Sequence, residues 1–263
     1  MLGYILGAIL IVGGALLAWL VPRRIKNRTL EIKFMKTTPI PELKGILSDN
    51  AAAGLEGYRH YVELKGNAGS DNPVKTPYSE KEVAYYEAKL LQVYEQKQTY
   101  RDSNGVTHQR MVRSESLLSD QNSSEIITVT NPPSKDKVYV DPTQSGLRLD
   151  TIKTLDRFEP VGNMKKYNFF SGFNYGSMGA RTLGFRMIEN TIPIGRMLYM
   201  LGEAWIEGNK IVFGRPRDEK KVSMISLRSE ADIIKGNKTN SILALVFGIL
   251  IAIAGILVMI FVR

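Results

Sequence analysis

Two histidines, His60 and His108, are the only imidazoles in the 263 residues, and cysteine is absent. Cys-ligated zinc, iron–sulfur centres, disulfides and thiol nucleophiles are therefore excluded. Neither histidine has a second metal-ligand residue at ligand spacing, such as a His at i+4 on one helix face. His60 sits among Tyr58, Arg59 and Tyr61, and His108 in a polar stretch beside a predicted hairpin; both read as structural or surface residues. Carboxylates such as Asp150, Asp156 and Glu159 are plentiful, but no pair stands out from a solvated surface. General acid–base work needs a titratable group set against a substrate, often with a shifted pKa. A G-x-S-x-G elbow and a G-x-x-x-x-G-K-[ST] phosphate loop are both missing. The sequence points to no catalytic residue, no cofactor and no metal ligand.

The more informative residues are cations. The formal net charge is +9, from 35 Lys and Arg against 26 Asp and Glu. Two blocks, residues 2–21 and 241–262, hold no charged residue. As helices of 20 residues or more they reach about 30 Å, the thickness of a bilayer core. Arg23, Arg24, Lys26 and Arg28 follow the first block, and Lys235 and Lys238 precede the second. At headgroup level such cations attract anionic lipid; a plain stop-transfer flank is the simpler reading. The positive-inside rule places the middle region in the cytoplasm. A cleavable signal peptide is disfavoured, because no basic region precedes the first block and its apolar run is too long. Membrane flanks account for much of the positive charge, so nucleic acid is not expected as a partner.

Each apolar block carries a stripe of small residues. Gly3, Gly7, Gly14 and Ala18 fall within about 60° on one helix, and Ala244, Gly248, Ala252 and Gly255 within about 80° on the other. Such stripes let helix backbones approach closely in lipid. Pairing within one chain and pairing between chains both remain open. The segment 168–185, rich in glycine and aromatic residues, adds Phe169, Phe170, Phe173 and Tyr175 as a candidate interface loop. Together with the stripes it motivates the expectation of a homo-oligomer. A long connection folded back on its own domain is the competing reading.

The elements between the blocks read mostly as strands. Residues 22–57 form a basic juxtamembrane segment and a short helix, with Leu43, Ile46 and Leu47 at helical spacing, which would lift the domain off the membrane. Residues 58–238 form a β-rich domain, with strands at 61–66, 83–97, 126–130, 137–141, 197–205, 210–213 and 221–226. Asn104-Gly105 is a hairpin turn signal. Residues 114–125 read as a loop, and 229–235 as one or two helical turns. The fold class is mainly β, a small barrel or sandwich with an OB-like barrel among the options, carrying short helices and flanked by two transmembrane helices. The stretches 61–68 and 199–205 resemble each other too briefly to establish a duplication.

Several short motifs, in order, resemble the GIDE or beside-a-membrane (BAM) family. They are Leu64-Lys65-Gly66, Thr76-Pro77-Tyr78-Ser79, Tyr85-Tyr86, Val138-Tyr139-Val140-Asp141-Pro142 and Gly184-Phe185-Arg186-Met187-Ile188-Glu189. Ile192-Pro193-Ile194-Gly195, Leu201-Gly202-Glu203-Ala204 and Leu243-Ala244-Leu245-Val246-Phe247-Gly248 follow. The resemblance implies kinship with mitochondrial and chloroplast-envelope RING E3 ubiquitin ligases, whose C-terminal RING grips zinc through Cys and His. A chain without cysteine resembles a RING-less, prokaryotic-type member, in a plasma or internal membrane. Eukaryotic members place the region between the spans in the intermembrane space; the flanking charges here point the other way. The expected function is a membrane-anchored, non-catalytic binding or scaffold protein, with the lipid bilayer and an unknown protein as partners. The alternatives are a membrane-bound enzyme of unrecognised type, or a ligase relative acting in protein modification through a partner.

Overall fold

The computed structural model describes residues 2–55, 57–166 and 180–261. Helices α1 (Leu2–Phe34) and α2 (Ile40–Ala52) come first. The strands are β1 (His60–Ser70), β2 (Val74–Lys75), β3 (Glu82–Val83), β4 (Tyr85–Arg101), β5 (Thr107–Asn122), β6 (Ile127–Thr130), β7 (Lys137–Val140), β8 (Ile152–Pro160), β9 (Ala180–Ile192), β10 (Met197–Glu207), β11 (Lys210–Gly214) and β12 (Met224–Ser226). Helix α3 (Glu230–Phe261) ends the described chain.

Five strands close into a barrel in the order β1-β6-β7-β11-β10 and back to β1. All its pairs are antiparallel except β7–β11, which is parallel. Counted along the chain the barrel strands run 1-2-3-5-4, the arrangement of an OB-type Greek-key barrel. Alternation builds its core: Val62 and Leu64 of β1, Val129 of β6, Val138 and Val140 of β7, Leu198 and Met200 of β10 and Phe213 of β11 are all buried. The two similar stretches around Tyr61 and Tyr199 are the β1–β10 pair that closes the barrel. Each passes through a glycine at a crowded crossing. A Cβ on Gly66 would stand 2.7 Å from the Thr130 carbonyl oxygen, and one on Gly202 would stand 2.6 Å from that of Gly214.

Helix α2 carries proline in its first turn and buries Ile40, Leu43 and Leu47. These side chains join the barrel core rather than standing clear of it as a spacer.

Two long insertions leave the barrel, one between β1 and β6, the other between β7 and β10. Each contributes a hairpin to a second, four-stranded sheet in the order β5-β4-β9-β8. Its core is small: Ala88 and Leu90 of β4 and Phe185 and Met187 of β9, with Tyr78 laid over them. Strand β5 corrects the reading of 114–125 as a loop. As an edge strand exposed over most of its length it is held by its backbone ladder with β4, so its Ser, Asp, Gln and Asn need not bury anything. Residues 180–185 of the glycine- and aromatic-rich segment likewise belong to β9, while Phe169, Phe170, Phe173 and Tyr175 lie outside the described residues.

Both terminal helices are long and apolar enough to cross a membrane. They also run further than the apolar blocks. The basic residues after position 21 continue α1 to Phe34, and the expected turns at 229–235 are the first turns of α3. The helices lie antiparallel along their length, and the small-residue stripes face each other within one chain. Gly7 and Gly255 approach reciprocally: a Cβ on either would lie 2.6–2.7 Å from the other's carbonyl oxygen. Gly14 and Gly248 do the same at 2.5–2.7 Å, beside Ala18 and Ala252. Gly3 is buried on this face and Ala244 is half-buried. The groove that a second copy would need on these stripes is therefore filled by the chain's own partner helix.

A leucine at position 14 would have to push α3 away. Overpacking of this kind costs about 1–3 kcal/mol. Thermal unfolding of the full chain in mild detergent is expected to fall by roughly 3–10 °C for Gly14→Leu. Gly13→Leu, where an added Cβ meets nothing within 4 Å, is expected to leave it unchanged.

Candidate functional site

The region where the helix pair meets the barrel gathers most of the unusual side-chain chemistry. On β1 the residues Tyr61, Glu63 and Lys65 share the face opposite Val62 and Leu64, by the period of two. On β10 the same outward face presents Tyr199 and Leu201. Strand β10 is thus buried on both sides, inward in the barrel and outward against Ile32 of α1 and Ile233 of α3.

Glu63 is fully buried. Its carboxylate accepts hydrogen bonds from Thr37 Oγ1 and from Tyr199 Oη at 2.8 Å, and pairs with Lys65 Nζ at 3.1 Å. Lys65 also donates to Glu230 Oε2 at 3.0 Å, in the first turn of α3, and to Thr37 Oγ1 at 2.9 Å. One carboxylate and one ammonium therefore tie the exit of α1, both closing strands and the entry of α3 into a single network. A second link uses Glu31 of α1, which accepts from Tyr61 Oη at 2.6 Å and from the Val222 backbone N–H at 3.2 Å. Burial and the Glu31 hydrogen bond push the Tyr61 phenol far above its ordinary value, and burial with the Glu63 bond does the same for Tyr199. Burial pulls the Lys65 ammonium down, but its bonds to Glu230 and Glu63 outweigh this, so its pKa ends above the ordinary lysine value.

Beneath this network a groove of about 710 Å³ runs along the seam between α1 and α3. Ala18, Trp19 and Ile242 form its apolar end, and Arg23, Lys26, Lys33 and Lys238 line it further toward the barrel. Arg23 stacks over Trp19 at 4.6 Å. Thr29 and Asn237 cross the seam with a 3.1 Å hydrogen bond. The remaining flanking cations point elsewhere. Arg28 lines a separate cleft with Arg148, Arg215 and Glu219, while Arg24 and Lys235 are exposed outside the groove.

A third carboxylate network lies on the outer sheet. Glu189, fully buried on β9, accepts from the Tyr78 and Ser79 backbone N–H groups at 2.6 and 3.0 Å, and from Ser79 Oγ at 2.5 Å. It pins the β2–β3 connection over the small core. The carboxylates noted in the sequence are also occupied. Asp156 takes two bonds from Arg186 at 2.7 and 2.8 Å and one from Lys153 at 2.9 Å, which hold its carboxyl well below the usual range. Asp150 accepts from Ser226 Oγ at 2.8 Å. Glu159 pairs with Arg157 at 3.2 Å. His60 Nδ1 meets Tyr58 Oη at 3.0 Å, and His108 Nε2 meets Asp102 Oδ2 at 2.8 Å beside the Asn104-Gly105 turn. Among the described residues, no three His, Cys, Asp or Glu side chains gather as a metal-binding group.

Sequence reasoning singled out the flanking cations and the small-residue stripes; it named Lys65 and Glu189 only as members of family motifs and gave Glu31, Glu63 and Glu230 no role. A signal existed for one pair: Glu63 and Lys65 alternate with core residues on a strand whose outer face also carries Tyr61, a pattern for a face covered by something else. Glu189 ends a family motif, but its burial and its partners, which lie far away in sequence, have no local signal.

Residues 95–260, more than half of the chain, match the GIDE family model, described as E3 ubiquitin ligase. Among curated proteins and solved structures, none matches the chain.

The buried phenols set an alkaline limit. The folded state keeps Tyr61 and Tyr199 neutral, whereas the unfolded chain loses those protons above the ordinary value of 10.0. Stability is thus fully present below pH 10 and falls as pH rises further; Lys65, also raised, acts in the same direction. Unfolding midpoints measured from pH 8 to 11.5 are expected to be flat and then drop. Tyr61→Phe, with one titrating phenol fewer, should show a shallower drop.

Proposed function

Because this chain belongs to the GIDE family, we propose that it is a membrane-anchored, non-catalytic binding or scaffold protein that holds its barrel beside the bilayer. The apolar parts of α1 and α3 span the membrane as one hairpin, and both enter the barrel on the same side. The observation that carries this reading is the state of the carboxylates. Both carboxylate oxygens of buried Glu63 and of buried Glu189 accept from structural donors, buried Glu203 accepts from the Arg217 backbone N–H, and the exposed Asp156 is held ionised by Arg186 and Lys153. A general acid or base needs the opposite, a group with a free proton site facing a substrate. The sequence also supplies no thiol for a thioester and no Cys for a RING.

The family description favours a second, narrower reading. The barrel and outer sheet would serve protein modification by presenting a partner that carries the transfer chemistry. Purified full-length chain mixed with activating and conjugating enzymes is expected to form no ubiquitin conjugates. The same assay on complexes cross-linked in native membranes decides whether a partner adds the activity. Conjugation by the purified chain alone would overturn the scaffold reading.

The flanking cations support a cytoplasmic barrel. The chain has no native thiol, so Asn104→Cys at the exposed hairpin tip gives a clean reporter. It is expected to resist a membrane-impermeant maleimide in intact cells and to react after permeabilisation. The protein itself should stay in the membrane pellet after alkaline carbonate extraction.

A further inference from the structure

We infer that the groove between α1 and α3 is a site for one anionic phospholipid of the leaflet facing the barrel. This rests on the proposed reading that the apolar parts of the two helices span a bilayer.

Height and charge together argue for it. At 1.5 Å per residue, Arg23 and Lys26 stand about 3 and 7.5 Å above Val21, the last apolar residue of the first block, and Lys238 about 4.5 Å above Ser241. The headgroup layer on one side of a bilayer is roughly 5–8 Å deep. These three cations therefore lie in the phosphate layer. Lys33, about 18 Å up by the same rise, lies beyond it. Below them Ala18, Trp19 and Ile242 offer an apolar wall at the depth of the first acyl carbons.

The charge in the groove is uncompensated. Its described lining contains no acidic residue. Among the described residues, Arg23, Lys26 and Lys238 make no ion pair, although twelve other pairs form across the molecule. Thr29 and Asn237 hold the two walls together, so the cations converge on a formed space rather than on a flat helix surface. A phosphodiester placed there meets cations from both helices while its acyl chain follows the apolar wall. A free anion gains only the first of these contacts, which favours a lipid as the occupant.

The test separates this groove from general surface charge. The full chain is reconstituted in nanodiscs of equal phosphatidylglycerol and phosphatidylcholine, and lipids retained after ejection are counted by native mass spectrometry. One phosphatidylglycerol is expected to remain per chain. Each Lys or Arg near a charged membrane adds to its hold on anionic lipid, so removing three should weaken this retention at least about tenfold. Arg23→Gln/Lys26→Gln/Lys238→Gln is therefore expected to lose the lipid, and Arg24→Gln/Arg28→Gln/Lys235→Gln, with the same charge change, to keep it. Ser241→Phe, which fills the groove without altering charge, should also lose it. Inorganic phosphate at millimolar concentration should not displace the lipid. Equal loss in both triple variants, retention in Ser241→Phe, no preference over phosphatidylcholine, or displacement by phosphate would overturn the inference. Failure of the spanning reading is a different result: the chain would not enter the discs at all.

Discussion

The contact between α1 and α3 constrains everything above it. Their backbones touch through reciprocal glycines at positions 7 and 255 and at 14 and 248, so the chain must leave and return at one place. A barrel suits that requirement. Its first and fourth strands, β1 and β10, are neighbours, and both helices can therefore dock on the same pair. Had the domain been an open sheet with β1 and β10 at opposite edges, the helices would have to splay and lose their close packing.

Docking is apolar at its centre and ionic at its edge. Ile32, Tyr199, Leu201, Met224 and Ile233 form a compact cluster between helices and barrel. Around it Glu31, Glu63, Lys65 and Glu230 are each satisfied by partners on another element. Apolar contact supplies most of the adhesion, while a buried carboxylate that loses its partners becomes costly. The network thus penalises any other seating of the helices. This is a role in orientation more than in raw stability.

Legibility followed burial. The barrel strands β1, β6, β7, β10 and β11 alternate between core and surface, and their turns carry Gly, Pro or Asn, so period and punctuation agree. Strand β5 has no core to face, so its composition matches that of a loop. The small-residue stripes were visible as grooves, but their partner was not, because one helix face reads the same whether its mate belongs to its own chain or to another. The family motifs carry their physics in pairs. Thr76-Pro77-Tyr78-Ser79 and Gly184–Glu189 meet where Glu189 grips the Tyr78 and Ser79 amides. Only the fold reveals that these are two halves of one contact.

The reciprocal glycines also carry a timetable. Helix α1 is made before every strand, and α3 after all of them. The glycine-lined face of α1 therefore waits, through the synthesis of the whole barrel, for a helix that has not yet been translated. Barrel closure is similarly late, since β1 pairs with β10, and the outer sheet joins at its middle only when β9 reaches β4. Contacts so distant along the chain form slowly. A bilayer can shelter the lone apolar helix in the interval, but it cannot shelter the unpaired strand edges beside it. Biogenesis rather than the finished structure is where this architecture is most exposed to error.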